Sequence, residues 1–90
     1  MTLEDLRVFS TVASERSFSR AARKLHRTQP AVSQAIRRLE QAAGERLVDR
    51  SSRDGTLTDA GHLLLEYATR LLRLAGEAAE AVADLKDVRK

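Results

Sequence analysis

The sequence predicts a mainly α chain: a winged helix-turn-helix of three helices with a small two-stranded wing, followed by one long linker helix. Three observations carry this prediction. Apolar residues recur at spacings of three and four in successive segments, as amphipathic helices require. An Asp54-Gly55 pair sits between two short extended pieces, the chemistry of a tight turn. From Asp59 to Val88 an apolar heptad stripe runs on for more than three heptads.

The first helix is expected from about Leu3 to Ser14. Leu3, Leu6, Phe9, Val12 and Ala13 form its apolar stripe, and Glu4 and Asp5 suit the positive end of its dipole. After the polar break Glu15-Arg16-Ser17, a short second helix runs from Phe18 to Leu25, capped by Ser17 or Ser19. It turns Ala21, Ala22 and Leu25 inward. His26-Arg27 is a tight connection. Thr28 then caps a third helix, and Pro30 falls in its first turn, where a missing N–H costs nothing. Val32, Ala35, Ile36, Leu39 and Ala43 are its buried stripe, and Gly44 stops it. Arg46 to Arg50 and Thr56 to Thr58 are the arms of a hairpin that must lean on the helices to be stable.

The last helix is expected from Asp59, capped by Thr58, to Val88. Leu64, Tyr67, Leu71, Leu74, Ala78, Ala81 and Leu85 make its heptad stripe. Thirty residues of helix span about 45 Å, more than the width of a small domain. The distal stripe therefore has nothing in its own chain to bury against. The expected solution is a homodimer through this helix. Antiparallel pairing sets the Leu-rich half of one copy against the Ala-rich half of the other, large against small. The chain thus divides into a head, residues 1–57, and a dimerisation or linker helix, residues 58–90.

Composition excludes several classes. Ninety residues hold no Cys, so there is no disulfide framework and no thiolate chemistry. Leu63-Leu64-Leu65 is the longest apolar run, so no membrane partner is expected. Met1 to Asp5 does not open as a signal peptide, and a cytoplasmic protein is expected. The two histidines, His26 and His62, lack metal-ligand spacing, and no phosphate loop or nucleophile elbow appears. No catalytic residue, cofactor or metal is expected.

Charge matters by position. The net charge is +3, but residues 1–57 carry 11 basic and 7 acidic residues, and residues 58–90 carry 5 and 6. From Arg16 to Leu39 there are seven basic residues and no acid. This suggests a phosphate-facing head on a near-neutral stalk. The exposed face of the third helix reads Gln29, Ser33, Gln34, Arg37 and Arg38. Gln and Ser can hydrogen-bond base edges in a major groove wide enough for a helix. Recognition helices put their N-terminal residues on those edges, which leaves Arg37 and Arg38 for phosphates. Arg50 and Arg53 flank the wing tip, where arginine suits a narrow minor groove or phosphates. A protein–protein module would explain the stalk equally well, but not a Gln/Ser face within an acid-free block. An RNA module would more often expose aromatics, and this chain has only Phe9, Phe18 and Tyr67.

These residues resemble the N-terminal DNA-binding part of LysR-type transcriptional regulators over essentially the whole chain. The likeness rests on Ser17-Phe18-Ser19-Arg20-Ala21-Ala22, Thr28-Gln29-Pro30-Ala31-Val32-Ser33, Ile36-Arg37-Arg38-Leu39-Glu40 and Leu57-Thr58-Asp59-Ala60-Gly61. The resemblance implies bacterial transcription control through double-stranded operator DNA, with interrupted inverted repeats as sites. It implies a recognition helix over about residues 28–43. Thr28, Gln29, Pro30, Ser33, Gln34, Arg37, Arg38, Arg50 and Arg53 are the expected DNA-binding set. It agrees with antiparallel linker helices, leaves a tetramer open to the full-length protein, and implies that the C-terminal effector-binding domain is absent from this chain. A small-molecule effector would then act only through that domain. The sequence departs from the pattern at Val48-Asp49, where the family usually carries an aromatic or Leu and often Glu.

Overall fold

A computed structural model describes residues 1–51 and 55–88. Four helices make up the regular structure among them: α1 (Leu3–Glu15), α2 (Phe18–Leu25), α3 (Gln29–Ala43) and α4 (Asp59–Val88). Each boundary has a local cause. Thr2, Ser17, Thr28 and Thr58 precede the four helices, and each hydroxyl accepts from a backbone N–H in the first turn, at 3.0 Å (Asp5), 3.1 Å (Arg20), 3.2 Å (Ala31) and 3.0 Å (Gly61). The first three helices end on left-handed residues: Arg16 at φ 54°, His26 at φ 56° and Gly44 at φ 71°. Only the third is glycine, so the first two ends carry backbone strain.

α1 is the hub and packs against α2, α3 and α4, while α2 also packs on α3. Leu6, Val8, Phe9 and Val12 of α1 meet Ala21 and Ala22 of α2 and Val32, Ala35, Ile36 and Leu39 of α3, all buried. Leu47, Val48 and Ala68 complete this core. Ala22 supplies the small side chain that a close helix crossing needs. Three expected stripe residues are not in the core: Leu3 is 47% exposed, Ala13 is half-buried, and Ala43 faces solvent. Leu3 is the first residue of α1, and Ala43 is the last residue of α3. Val48, smaller than the family pattern, is nonetheless 1% exposed, so the wing root closes over the core.

The wing is slighter than expected. No strand is formed among the described residues; Val48 and Leu57 make a single isolated antiparallel bridge. Asp49 N donates to Thr56 O at 2.8 Å and Thr58 N to Leu47 O at 3.1 Å. The reason is visible at the root. Leu47 N donates at 2.9 Å to the Glu40 carboxylate of α3, so this backbone group is tied to a helix and not to a sheet. The Asp49 carboxylate then starts a turn by accepting from Ser51 N and Ser51 Oγ at 2.9 and 2.6 Å. The expected tip residue Arg53 lies outside the described residues.

α4 leaves the head and gives the molecule its length of 56 Å against 25 and 18 Å. Its base is part of the head: Ala60, Leu64 and Leu65 pack on the core, and Ala68 is fully buried. Gly61 makes this junction. A Cβ there would stand 2.1 Å from Leu47 O and 3.1 Å from Leu57 Cβ.

Candidate nucleic-acid interface

α2 and α3 meet through the turn His26-Arg27-Thr28, and α1 fixes the back of both. The front of α3 is therefore free. Gln29, Pro30, Ser33, Gln34 and Arg37 line one open hollow of about 480 Å³ along its N-terminal half. None of these five is acidic, and amide, hydroxyl and guanidinium groups share one face. Five of the nine expected DNA-binding residues are thus brought together. Arg37 makes no ion pair among the described residues, and it joins this hollow to a second one. That second hollow, about 450 Å³, lies between the end of α3 and the wing root and is lined by Arg37, Glu40, Gln41, Gly44, Glu45, Arg46 and Arg50.

Three more of the expected residues, Thr28, Arg38 and Arg50, are already engaged within the chain, and Arg53 lies outside the described residues. Thr28 is exposed, but its hydroxyl is the α3 cap. Arg38 forks onto Asp5, with Nε donating to Oδ2 at 3.0 Å and Nη2 to Oδ1 at 2.9 Å. Arg50 Nη2 donates to Glu40 Oε1 at 2.7 Å. The acid-free stretch of sequence is not acid-free in space. Arg27 pairs with Glu4, Lys24 reaches Glu15 at 3.3 Å, and Arg20 donates to the Glu15 carbonyl at 2.6 Å. Acids of α1 pair with Lys24, Arg27 and Arg38, while Arg16, Arg23 and Arg37 make no ion pair among the described residues.

Three structurally decisive residues escaped the sequence reading. Asp5 was assigned only to the helix dipole, yet it is 6% exposed beneath Arg38. The two hydrogen bonds from Arg38 hold its carboxyl below the usual range, against desolvation that pushes it up. Its signal was an acid flanked by core positions on α1. Glu40 ties α3 to Leu47 and Arg50; sequence spacing gives no hint of that. Gly61 could have been suspected, since glycine inside a helix costs about 1 kcal/mol unless packing demands it.

The expected dimer stripe divides. Leu64 packs partly on its own head. Tyr67, Leu71, Leu74 and Leu85 are 50%, 41%, 62% and 48% exposed, and Ala78 and Ala81 are exposed beside them. Leu63 is 58% exposed and borders an apolar groove of about 260 Å³, formed with Ala43, Glu45, Leu47, Ala60, Leu64 and Tyr67. No helix among the described residues is long and apolar enough to cross a membrane, and no cluster of His, Asp or Glu among them could hold a metal.

Comparison with known proteins places this geometry. The family model described as bacterial regulatory helix-turn-helix protein, lysR family, matches residues 3–62. A probable RuBisCO transcriptional regulator of Synechocystis sp. is 44% identical over 87 residues, covering 97% of this chain and 25% of that protein. The chain thus spans about a quarter of the length of the curated relatives it matches. A crystal structure of the BenM DBD with catB site 1 DNA superposes with a TM-score of 0.93 at 34% identity, covering 100% of this chain and 97% of that one. The CbnR DBD–DNA complex gives 0.89 at 36% identity, covering 94% and 98%.

Proposed function

The chain belongs to the lysR family of bacterial regulatory helix-turn-helix proteins, and from that premise we propose how this DNA-binding domain reads its site. The N-terminal half of α3 enters the major groove of operator DNA. Gln29, Ser33 and Gln34 meet base edges, Pro30 packs against the groove wall, and Arg37 meets the flanking phosphates. Arg50 and the wing residue Arg53 reach the next phosphates or the minor groove. Arg38 acts through Asp5, fixing α3 against α1, and presents its exposed edge to the backbone. Two copies joined by antiparallel α4 helices place two such readers on an interrupted inverted repeat. The setting is the cytoplasm, within a longer regulator whose further domain carries any effector and any tetramer contact.

The observation that carries this reading is the acid-free hollow of Gln29, Pro30, Ser33, Gln34 and Arg37 on the open face of α3. Selection of bound duplexes from a random pool tests it and yields the half-site and spacing together. Gln29→Ala or Gln34→Ala should then cost about 1–3 kcal/mol on the selected site and relax preference at one position. Full specificity in both variants would reject the assignment. Arg37→Ala should weaken all sequences alike and lower the salt slope by about one unit. A base-selective loss would move Arg37 from the phosphates to a base edge.

A further inference from the structure

Arg37 and Arg50 line the same hollow between the end of α3 and the wing root, but their charges are held differently. Arg37 makes no ion pair among the described residues, whereas Arg50 Nη2 donates to Glu40 Oε1 at 2.7 Å. The Glu40 side chain is only 11% exposed and that of Arg50 39%. The carboxylate is anchored from its other side as well. Glu40 Oε2 accepts from Leu47 N at 2.9 Å and from Val48 N at 3.5 Å. The Glu40 carbonyl in turn accepts from Gly44 N at 2.8 Å and Glu45 N at 3.3 Å, which closes the end of α3. Glu40 is therefore a fixed point between helix and wing, and not a mobile surface acid that meets an arginine in passing.

We propose that Glu40 is a positioning residue for specificity: it holds Arg50 so that this charge serves the fully seated complex and is withheld from chance encounters with DNA. The inference rests on the roles of α3 and Arg50 proposed above and adds one for Glu40, which itself touches no DNA.

A guanidinium carries five N–H donors in a rigid fork, and Glu40 takes one of them. The outer edge of the fork remains for a phosphate oxygen while the pair stays closed. Because Glu40 belongs to α3, that edge is fixed relative to α3 and meets its phosphate only when α3 lies at its proper depth in the groove. On arbitrary sequence α3 is not seated. A free arginine would then swing out and take any nearby phosphate. Arg50 would first have to leave a charge-assisted hydrogen bond, and until it does the Glu40 charge offsets its own. Non-specific affinity is essentially phosphate attraction, so a withheld charge lowers it without touching base readout. Glu45 lines the same hollow, but it is exposed and makes no ion pair among the described residues, so it does not duplicate Glu40.

Salt titrations of the selected duplex and of a random duplex of equal length test this. Arg50→Gln should flatten the salt slope on the selected duplex by about one unit per bound copy, and on the random duplex by less than about half of that. Arg37→Ala, which removes an unpaired arginine, should flatten both alike. Equal flattening of both by Arg50→Gln overturns the proposal, and this arm leaves Glu40 and the wing root untouched. Glu40→Gln is nearly isosteric. Its amide oxygen can still accept from Leu47 N, but its NH2 meets Arg50 donor to donor. This variant should bind random duplex about two- to fivefold more tightly, the scale of a partly exposed ion pair, and lose the same factor in discrimination. In an Arg50→Gln background the same change should leave discrimination where it was. If Glu40 merely braces the wing root, its loss acts equally with or without Arg50, and that result overturns the proposal. A chain from which selection recovers no preferred duplex rejects the α3 assignment itself. A preferred duplex whose discrimination Glu40→Gln leaves unchanged rejects only the role of Glu40.

Discussion

Phe9 and Leu74 are both large apolar residues near the middle of a helix, but Phe9 is fully buried and Leu74 is 62% exposed. The head closes on itself. Its core draws on three helices, the wing root and the base of α4, and its acids pair with part of its own basic block. The far half of α4 closes on nothing in its chain. Stability in the head is therefore a property of one molecule, and on the dimer proposed above stability in the stalk becomes a property of concentration. The same chemistry of apolar burial gives a fold at one end and, in the proposed dimer, an assembly at the other.

Paired truncations break this comparison most forcefully. Phe9→Ala should lower unfolding free energy by about 3–5 kcal/mol at any protein concentration, since it opens a cavity against three helices. Leu74→Asp should leave the head folded and yield monomers, read by sedimentation alongside circular dichroism. A dimer that survives Leu74→Asp places the interface elsewhere. Gly61→Ala strikes the seam between the two regions. Its methyl would meet Leu47 O, a backbone atom that cannot swing aside. A loss of about 3 kcal/mol is expected in urea titration, at the upper end for overpacking. A loss under about 0.5 kcal/mol, the level of ordinary surface changes, would mean that the α4 base does not seat tightly on the wing root.

Much of this was legible in the sequence because the signals were local. Thr28 and Gly44 bound α3 by cap chemistry that needs no tertiary knowledge, and the start of α2 follows in the same way from Ser17. The Gln29–Arg37 face was legible because helical periodicity alone brings those residues together. What stayed hidden was long-range. The run from Arg16 to Leu39 has no acid within it, and only the packing of α1 brings Glu4, Asp5 and Glu15 across. The wing was over-read for a related reason. The Asp54-Gly55 turn marked two extended pieces as a hairpin, but the Glu40 carboxylate takes Leu47 N, and one bridge is formed among the described residues.

Asp5 sharpens the contrast through pH. Its folded carboxyl titrates below the usual carboxylate value of 3.8, with Arg38 as the first cause. A depressed folded value stabilises the native state above the unfolded value, and the gain is lost as pH falls through the folded one. Asp5→Asn should cost about 1–3 kcal/mol at neutral pH, the scale of hydrogen bonds to a charged group. The gap between native chain and variant should close as melts are taken from pH 4 toward pH 2. A gap constant across that range would remove the ion pair from the head's acid response. Dimerisation through α4 should not share this dependence.

The smallest expected effect concerns the turn between the two helices that present the reading face. His26 ends α2 at φ 56°, a conformation that costs a side-chain-bearing residue about 1–2 kcal/mol. Glycine would remove that strain but would add unfolded-state freedom worth about 0.5–1 kcal/mol. His26→Gly should therefore gain a few tenths to about 1 kcal/mol, or a few degrees in Tm for a domain of this size. The side chain is exposed, so little packing is lost in the exchange. Asn separates the two contributions, since it tolerates the left-handed region without glycine's entropy. If Gly and Asn both destabilise, the imidazole makes a contact that outweighs the strain. If Gly stabilises and the operator preference is unchanged, the turn is a tolerated flaw in the head. The angle between α2 and α3 is then set by Ala22, Val32 and the hub helix beneath them.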